Sequence, residues 1–221
     1  MTNGSNCPVP SGPDFDFGAP PILVNGKSGN DYLLAGQKSG MVFALDPSNE
    51  GRILWRKKIG RGGHNGGIHW GMAADENVLY VPIADIGEHP FATGDPRPGI
   101  HALDIATGEV LWSHLEGSTC SQDSFECFAG FSAPISLSSE ILFAGGLNGV
   151  FHAYSSSTGA KLWKFNTRRE FRSVNQLIGK GGTIDGSGPV IAGNMLYLNS
   201  GYGRYGKLGG NVLLAFSISK D

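Results

Sequence analysis

One pattern recurs along the chain: a short apolar strand containing an alanine, a turn, and a second strand ending in tryptophan. The three full copies are GMVFALDPSNEGRILW (40–55), GIHALDIATGEVLW (99–112) and VFHAYSSSTGAKLW (150–163). NVLLAFSISKD repeats the first half, and the aligned alanines are spaced by 58, 51 and 62 residues. A period in this range is typical of propellers and related repeat arrays.

A second pair of short strands precedes each copy, as in FSAPISLSSEILFAGG (131–146). Each repeat therefore holds about four strands joined at Gly, Asn, Asp and Ser residues, and no window keeps the stripe of an amphipathic helix. Four-stranded units of this length that stack radially form a β-propeller. We predict an all-β fold of about four antiparallel blades, at roughly 1–60, 61–116, 117–169 and 170–221.

Composition fits many turns and few charged helices. Glycine supplies 35 of 221 residues, about twice the usual ~7%, while only 16% of residues are charged. The formal net charge of −2 gives no electrostatic basis for binding nucleic acid or an anionic membrane. No apolar run reaches the ~18 residues of a membrane span.

The turn of the second copy has a local physical cause. Asp104 can accept N–H bonds across the turn, and Gly108 can take the left-handed conformation that the turn requires. We expect Trp55, Trp112 and Trp163 to pack between neighbouring blades, with each indole N–H donating to a carbonyl and no role in ligand binding.

The stretch RGGHNGGIHWGMAAD (61–75) differs from these tryptophan segments because glycines precede Trp70. Glycine allows positive φ and close approach of the backbone to another group. We interpret Trp70 as the floor of a site for a flat ligand. The alternative is one more aromatic residue that packs between blades. His64 and His69 flank Trp70 without the spacing of a metal pair, so structural or loop roles are favoured.

The three cysteines are Cys7, Cys120 and Cys127. Cys120 and Cys127 close a short loop that lacks the further Cys and His residues of a zinc site, which favours a local disulfide. Cys7 is then left without a partner.

The blade pattern G-x-x-x-A-x-D-x-x-T-G-x-x-x-W resembles the repeat of quinoprotein propellers that bind pyrroloquinoline quinone (PQQ). RGGHNGGIHWGMAAD, the segment 166–203 and the ending GGNVLLAFSI are similar to the polyvinyl-alcohol dehydrogenases within that group. The resemblance covers nearly the whole chain from about Phe15. It implies about eight blades in the complete protein, of which this chain would be the C-terminal half.

The resemblance also implies roles for two residues. Trp70 would stack on the quinone rings, and Asp85 would donate an oxygen ligand to the calcium ion that polarises the quinone, since calcium prefers carboxylate and carbonyl oxygens. The alternative for Asp85 is a solvated loop aspartate.

A catalytic acid is missing where the resemblance implies one. The corresponding stretch reads Cys127-Phe128-Ala129-Gly130, without a carboxylate. Asp123, in the nearby loop, is the candidate general base, and a surface loop acid is the alternative.

Four basic residues, Arg168, Arg169, Arg172 and Lys180, could face the carboxylates of the cofactor. Arg172 and Lys180 are the chosen candidates, because cationic side chains pair with carboxylates. The alternative is that all four belong to an ordinary solvated basic face.

The resemblance implies a PQQ- and calcium-dependent dehydrogenase acting on secondary hydroxyls, with an electron acceptor such as cytochrome c. The alternative is a non-catalytic binding or scaffold propeller that has lost its acid. A disulfide and the resemblance both favour a periplasmic or extracellular location. Because an open ring exposes strand edges, association through those edges is also expected.

Overall fold

The computed structural model describes residues 12–63, 65–86, 90–92, 94–117, 128–203 and 207–217. The described residues form seventeen strands and no helix, which confirms the all-β prediction. Among these residues, no helix has the length and apolar character needed to cross a bilayer.

Three four-stranded antiparallel sheets follow one another along the chain, each with its strands paired in sequence order. The first sheet contains β1 (Ile22–Asn25), β2 (Asp31–Gly36), β3 (Met41–Asp46) and β4 (Arg52–Lys58). The second contains β5 (Ala73–Ala74), β6 (Val78–Ile83), β7 (Gly99–Asp104) and β8 (Val110–Leu115). The third contains β9 (Ser136–Ser138), β10 (Ile141–Gly145), β11 (Val150–Ser155) and β12 (Lys161–Asn166).

The last part of the chain departs from the predicted four strands. A separate hairpin pairs β13 (Glu170–Arg172) with β14 (Ile178–Lys180). A three-stranded sheet, called the fourth sheet below, then contains β15 (Val190–Ala192), β16 (Met195–Ser200) and β17 (Val212–Ser217). Within the described residues, the outer edge of β17 has no paired strand. Each sheet lies inside one of the predicted blade ranges, and the blade boundaries themselves stay a prediction.

The recurring alanine and tryptophan are cross-strand neighbours. Ala102 lies opposite Trp112, and the register shifts immediately after the alanine. Ala44 with Trp55 and Ala153 with Trp163 show the same pairing and the same shift. A small residue opposite each indole leaves space for the ring beside the bulge.

Apolar layers between successive sheets form the core. Leu34 and Val42 of the first sheet pack with Leu79 and Leu103 of the second, and all four are fully buried. Equivalent layers join the second sheet to the third, and the third to the fourth. Each large side chain removed from water in this way contributes about 1.5 to 3 kcal/mol.

Two tryptophans also bind the following sheet. The Nε1–H of Trp55 donates to the carbonyl oxygen of Ile105 at 2.7 Å, and that of Trp112 donates to Ser156 at 2.9 Å. Trp163 instead packs edge-on against Phe216 of the fourth sheet, at 5.6 Å between ring centroids. The packing predicted for these residues is confirmed, and the carbonyl bond is confirmed for Trp55 and Trp112.

The predicted turn chemistry is also confirmed. Asp104 Oδ1 accepts hydrogen bonds from the backbone N–H and the hydroxyl of Thr107, at 2.8 and 2.9 Å. Gly108 has φ of +72°, as the turn requires.

Candidate functional site

The glycine-rich stretch 61–75, of which His64 lies outside the described residues, runs from the end of the first sheet into the second. Its glycines lie against the turn at Lys38–Gly40. Gly62 and Gly67 have φ of +88° and +61°. A Cβ on Gly62 would lie 2.4 Å from the Ser39 carbonyl oxygen, and one on Gly67 would lie 2.1 Å from that of Lys38. The predicted positive φ and close approach are therefore confirmed, and the neighbouring group is backbone.

Asp85 holds this stretch in place from the end of β6. Its side chain is buried, and its backbone has the left-handed φ of +46°. Oδ2 accepts the backbone N–H groups of Arg61 and Arg97 at 2.7 and 2.8 Å. Oδ1 accepts those of Gly62 and Gly67 at 3.0 and 3.2 Å. Four amide donors therefore satisfy this carboxylate.

A carboxylate that already accepts four backbone N–H bonds does not fit the role of a calcium ligand. A metal needs free carboxylate lone pairs and several further oxygen ligands, whereas Asp85 already accepts four N–H groups. The described residues contain no group of three or more His, Cys, Asp or Glu side chains that could hold a metal ion. The calcium role of Asp85 stays a prediction, and no chemical step is derived from it.

Trp70 lies where the second, third and fourth sheets meet. Its backbone N–H donates to the carbonyl of Ser132 at 3.3 Å, and its Nε1–H donates to Asp185 Oδ1 at 3.0 Å. The imidazole of His69 stacks on the indole with ring centroids 4.4 Å apart and planes inclined by 29°. The side chain nevertheless remains 37% exposed. The ring therefore keeps a partly exposed aromatic surface whose orientation is set by its neighbours.

His69 is a neutral partner for this ring. Burial lowers the pKa of His69 to about 4, because the charged form loses its hydration, and Lys38 and Lys207 act in the same direction while Asp185 opposes it. Its Nδ1 lies 2.7 Å from the Ser132 hydroxyl. A neutral imidazole at pH 7 supports the indole through stacking, which agrees with the structural role expected from sequence.

A buried ion pair completes the site, and sequence reasoning missed it. Asp185 Oδ2 contacts Lys207 Nζ, and these side chains are 2% and 1% exposed. The backbone N–H of Gly186 also donates to Oδ1, at 2.8 Å. One signal was available in the sequence, since Asp185 is the single acid within the glycine-rich run GGTIDGSG. Its distance of 115 residues from Trp70 concealed the connection.

The remaining candidates are not joined to Trp70 in the described part of the chain. Arg172 and Lys180 are exposed residues of the β13–β14 hairpin, whereas the described contacts of Trp70 are with Asp185, His69 and Ser132. Asp123 and the pair Cys120 and Cys127 lie outside the described residues. All of these assignments stay predictions.

Comparison with known proteins identifies close sequence relatives. A family profile described as "Outer membrane protein assembly factor BamB", of the PQQ repeat type, matches residues 38–115 and 96–220. The chain is 41% identical to a polyvinylalcohol dehydrogenase of Sphingopyxis sp. (strain 113P3) and 38% identical to one of Pseudomonas sp. Each match covers 97% of this chain, which spans 34% of the length of either relative.

The fold is shared with a solved quinohemoprotein alcohol dehydrogenase of Pseudomonas putida HK5. The TM-score is 0.63 at 18% identity, over 92% of this chain and 33% of the other. At this identity the likeness is one of fold, and it confirms the predicted propeller architecture of antiparallel sheets. The profile match, which spans residues 38–115 and 96–220, shows that the chain belongs to the family of PQQ repeat proteins, as its sequence resemblance predicts.

Proposed function

We propose that this chain carries the quinone-stacking part of a PQQ-dependent alcohol dehydrogenase of the polyvinyl-alcohol type, which oxidises secondary hydroxyls. The observation that carries the proposal is Trp70. This ring is backed on one face by His69 and held at its edge by Asp185, and it remains 37% exposed. The two relatives named as polyvinylalcohol dehydrogenases supply the choice of substrate class.

The described residues would bind and orient the cofactor. PQQ supplies, when bound, a quinone that accepts the hydride equivalent of an alcohol. Trp70 offers the stacking surface, and neutral His69 keeps charge away from its covered face. Arg172 and Lys180 remain proposed partners for the cofactor carboxylates, and Asp123 remains the proposed base. Calcium is proposed from the resemblance alone, because the hydrogen bonding of Asp85 does not fit a metal ligand.

The test measures binding and turnover separately. Titration of the chain with PQQ, with and without Ca²⁺, should quench tryptophan fluorescence. W70F should weaken binding by up to about tenfold, because the smaller phenyl ring offers less stacking surface and lacks the N–H that donates to Asp185. W112F is the matched control, because the indole of Trp112 donates to the carbonyl oxygen of Ser156 in the next sheet. The affinity of W112F for PQQ should match that of the wild type. Equal affinity in W70F and wild type would contradict the proposal.

Turnover distinguishes the enzyme from the alternative, a non-catalytic binding or scaffold propeller. With PQQ, Ca²⁺ and a secondary alcohol present, an active dehydrogenase reduces an artificial electron-accepting dye. The sequence feature that favours the alternative is the stretch Cys127-Phe128-Ala129-Gly130, which carries no carboxylate where the resemblance implies an acid. Quenching without dye reduction would support the binding protein.

We also propose a periplasmic or extracellular location and an external electron acceptor such as cytochrome c. The predicted disulfide between Cys120 and Cys127 supports the location, since disulfides persist in oxidising compartments. Detection of a Cys120–Cys127 cross-link by mass spectrometry of the non-reduced protein is the corresponding test.

Association through open blade edges remains part of the proposal. The outer edge of β17 is unpaired among the described residues. A cavity of about 380 Å³ lies between the third and fourth sheets, and Phe143, Trp163 and Phe216 line it together with other residues of both sheets. Unpaired strand edges favour pairing with further polypeptide.

A further inference from the structure

Trp70 differs from two other tryptophans in the group that accepts its indole hydrogen bond. Trp55 and Trp112 donate to backbone carbonyls of the next sheet in the chain. Trp70 donates to Asp185, a side chain 115 residues away in the last part of the chain. A bond to an ionised acceptor is roughly twice as strong as one between neutral groups.

The carboxylate that accepts this bond is itself fixed. Oδ1 accepts from Trp70 and from the backbone of Gly186, and Oδ2 contacts Lys207. Leu208 adds a further restraint, because its N–H donates to Thr183 Oγ1 at 3.0 Å and its carbonyl oxygen accepts from the Thr183 N–H at 2.8 Å. The carboxylate therefore has a defined direction relative to the indole edge.

Burial of this ion pair carries a desolvation cost that its attraction does not always repay. Buried ion pairs are in some proteins retained because they specify one conformation. Here Asp185 of the pair contacts Trp70, the partly exposed aromatic ring of the site. The conformation that the pair would specify is therefore that of the Trp70 side chain.

We infer that Asp185, held by Lys207, is the positioning residue that fixes the plane of the Trp70 indole for a stacked planar ligand. The ligand half of this inference rests on the proposed function. His69 blocks movement of the ring toward one face, and the bond to Asp185 blocks rotation about the side-chain torsions. A ring fixed before binding loses less conformational entropy when the ligand arrives.

Hydrogen exchange of the indole N–H groups tests the positioning role without any ligand. In the ¹⁵N-labelled chain, the signal lost in W70F identifies Trp70 among the four tryptophans. D185L/K207M removes the acceptor and both charges, and it should speed exchange at Trp70 by about tenfold or more, as loss of a bond to a charged group predicts. D185N keeps an acceptor oxygen and should give a smaller increase.

The chain offers a matched control in a second ion pair, between Glu116 and Lys161, whose lysine is only partly buried. Glu116 Oε1 lies 2.7 Å from Lys161 Nζ and accepts from the Tyr154 hydroxyl at 2.7 Å. E116L/K161M also removes an ion pair and should leave exchange at Trp70 unchanged. Equal rates at Trp70 in D185L/K207M and E116L/K161M would overturn the inference. If D185L/K207M does not fold, a rate in D185N equal to that of the wild type would also overturn it.

PQQ affinity separates this inference from the proposed function. If wild type binds PQQ, D185L/K207M should bind about tenfold more weakly, and E116L/K161M should bind as wild type does. Wild-type affinity in D185L/K207M would overturn the ligand half of the inference and leave the proposed function standing. If wild type does not bind PQQ, the proposed function and the ligand half of the inference fail, while the exchange rates still decide the positioning role.

Discussion

Trp112 and Trp70 show two ways of holding an indole ring in one propeller chain. Trp112 donates to the backbone carbonyl of Ser156 and lies against Gly159, so its position follows from packing of one sheet on the next. Trp70 is bound by Asp185, from a distant part of the sequence, and stacks on His69. Backbone and glycine contacts hold the partly buried Trp112, whereas side-chain restraints hold Trp70, which is 37% exposed.

The largest expected effect concerns the carboxylate that distinguishes Trp70. D185A leaves the ammonium of Lys207 buried without its partner, and we expect the free energy of unfolding to fall by about 3 to 5 kcal/mol. Urea denaturation measures this loss. D185N, which retains shape and an acceptor, should lose less. A loss in D185A below about 1 kcal/mol would show that the ion pair matters little to the fold.

A smaller effect is expected at the glycine that contacts Trp112. Gly159 has φ of +69°, and an added Cβ would lie 2.5 Å from Trp112 Cε3. G159A should therefore lower the free energy of unfolding by about 3 kcal/mol, through left-handed strain and displacement of the indole. Near-ultraviolet circular dichroism and thermal unfolding would record both changes.

Gly51 supplies the matched control for that substitution. Its φ is +71°, and an added Cβ would meet no atom within 4 Å. G51A should therefore show the backbone strain alone, about 1 kcal/mol. Equal losses in G51A and G159A would mean that contact with Trp112 contributes nothing.

The smallest effect is a pH dependence centred on His69. Its pKa is lowered to about 4 by burial, whereas the unfolded chain titrates near 6.5. As pH falls through 6.5, the unfolded state takes up a proton that the folded state does not, so stability falls until about pH 4. Between pH 7.5 and 5.5, His69 should account for about 1 kcal/mol of lost stability.

H69N tests that contribution, because asparagine can occupy the position of Nδ1 beside Ser132 without titrating. The fall in stability between pH 7.5 and 5.5, measured by urea denaturation, should be about 1 kcal/mol smaller in H69N than in the wild type. An identical fall in both proteins would show that His69 does not carry the effect.

Much of the fold could be predicted because its determinants are local or periodic. The alternation of short strands and the turn at Asp104 and Gly108 lie within one repeat. The pairing of Ala102 with Trp112 lies there too, and the structure added it. The fourth sheet was predicted less well. Its region forms a hairpin and three strands, because the segment from Glu170 to Lys180 pairs with itself.

The candidate site was predicted only in part. Trp70 was identified because glycines surround it, and these glycines approach the backbone of Lys38–Gly40 closely. Asp85 was identified as a special acid, yet its four bonds to backbone amides belong to loop structure. The number and direction of those amides could not be foreseen, since they depend on how three separate loops fold together.

The sequence by itself determined the repeat, the antiparallel strands and the single tryptophan set apart from the others, because each is written in residues close together along the chain. Only the tertiary structure decided that Asp185 and Lys207 meet beside Trp70. The physical reason is that stacking of sheets brings together loops more than a hundred residues apart. The effect of a buried ion pair depends on the group that it contacts, and the sequence does not show which group that is.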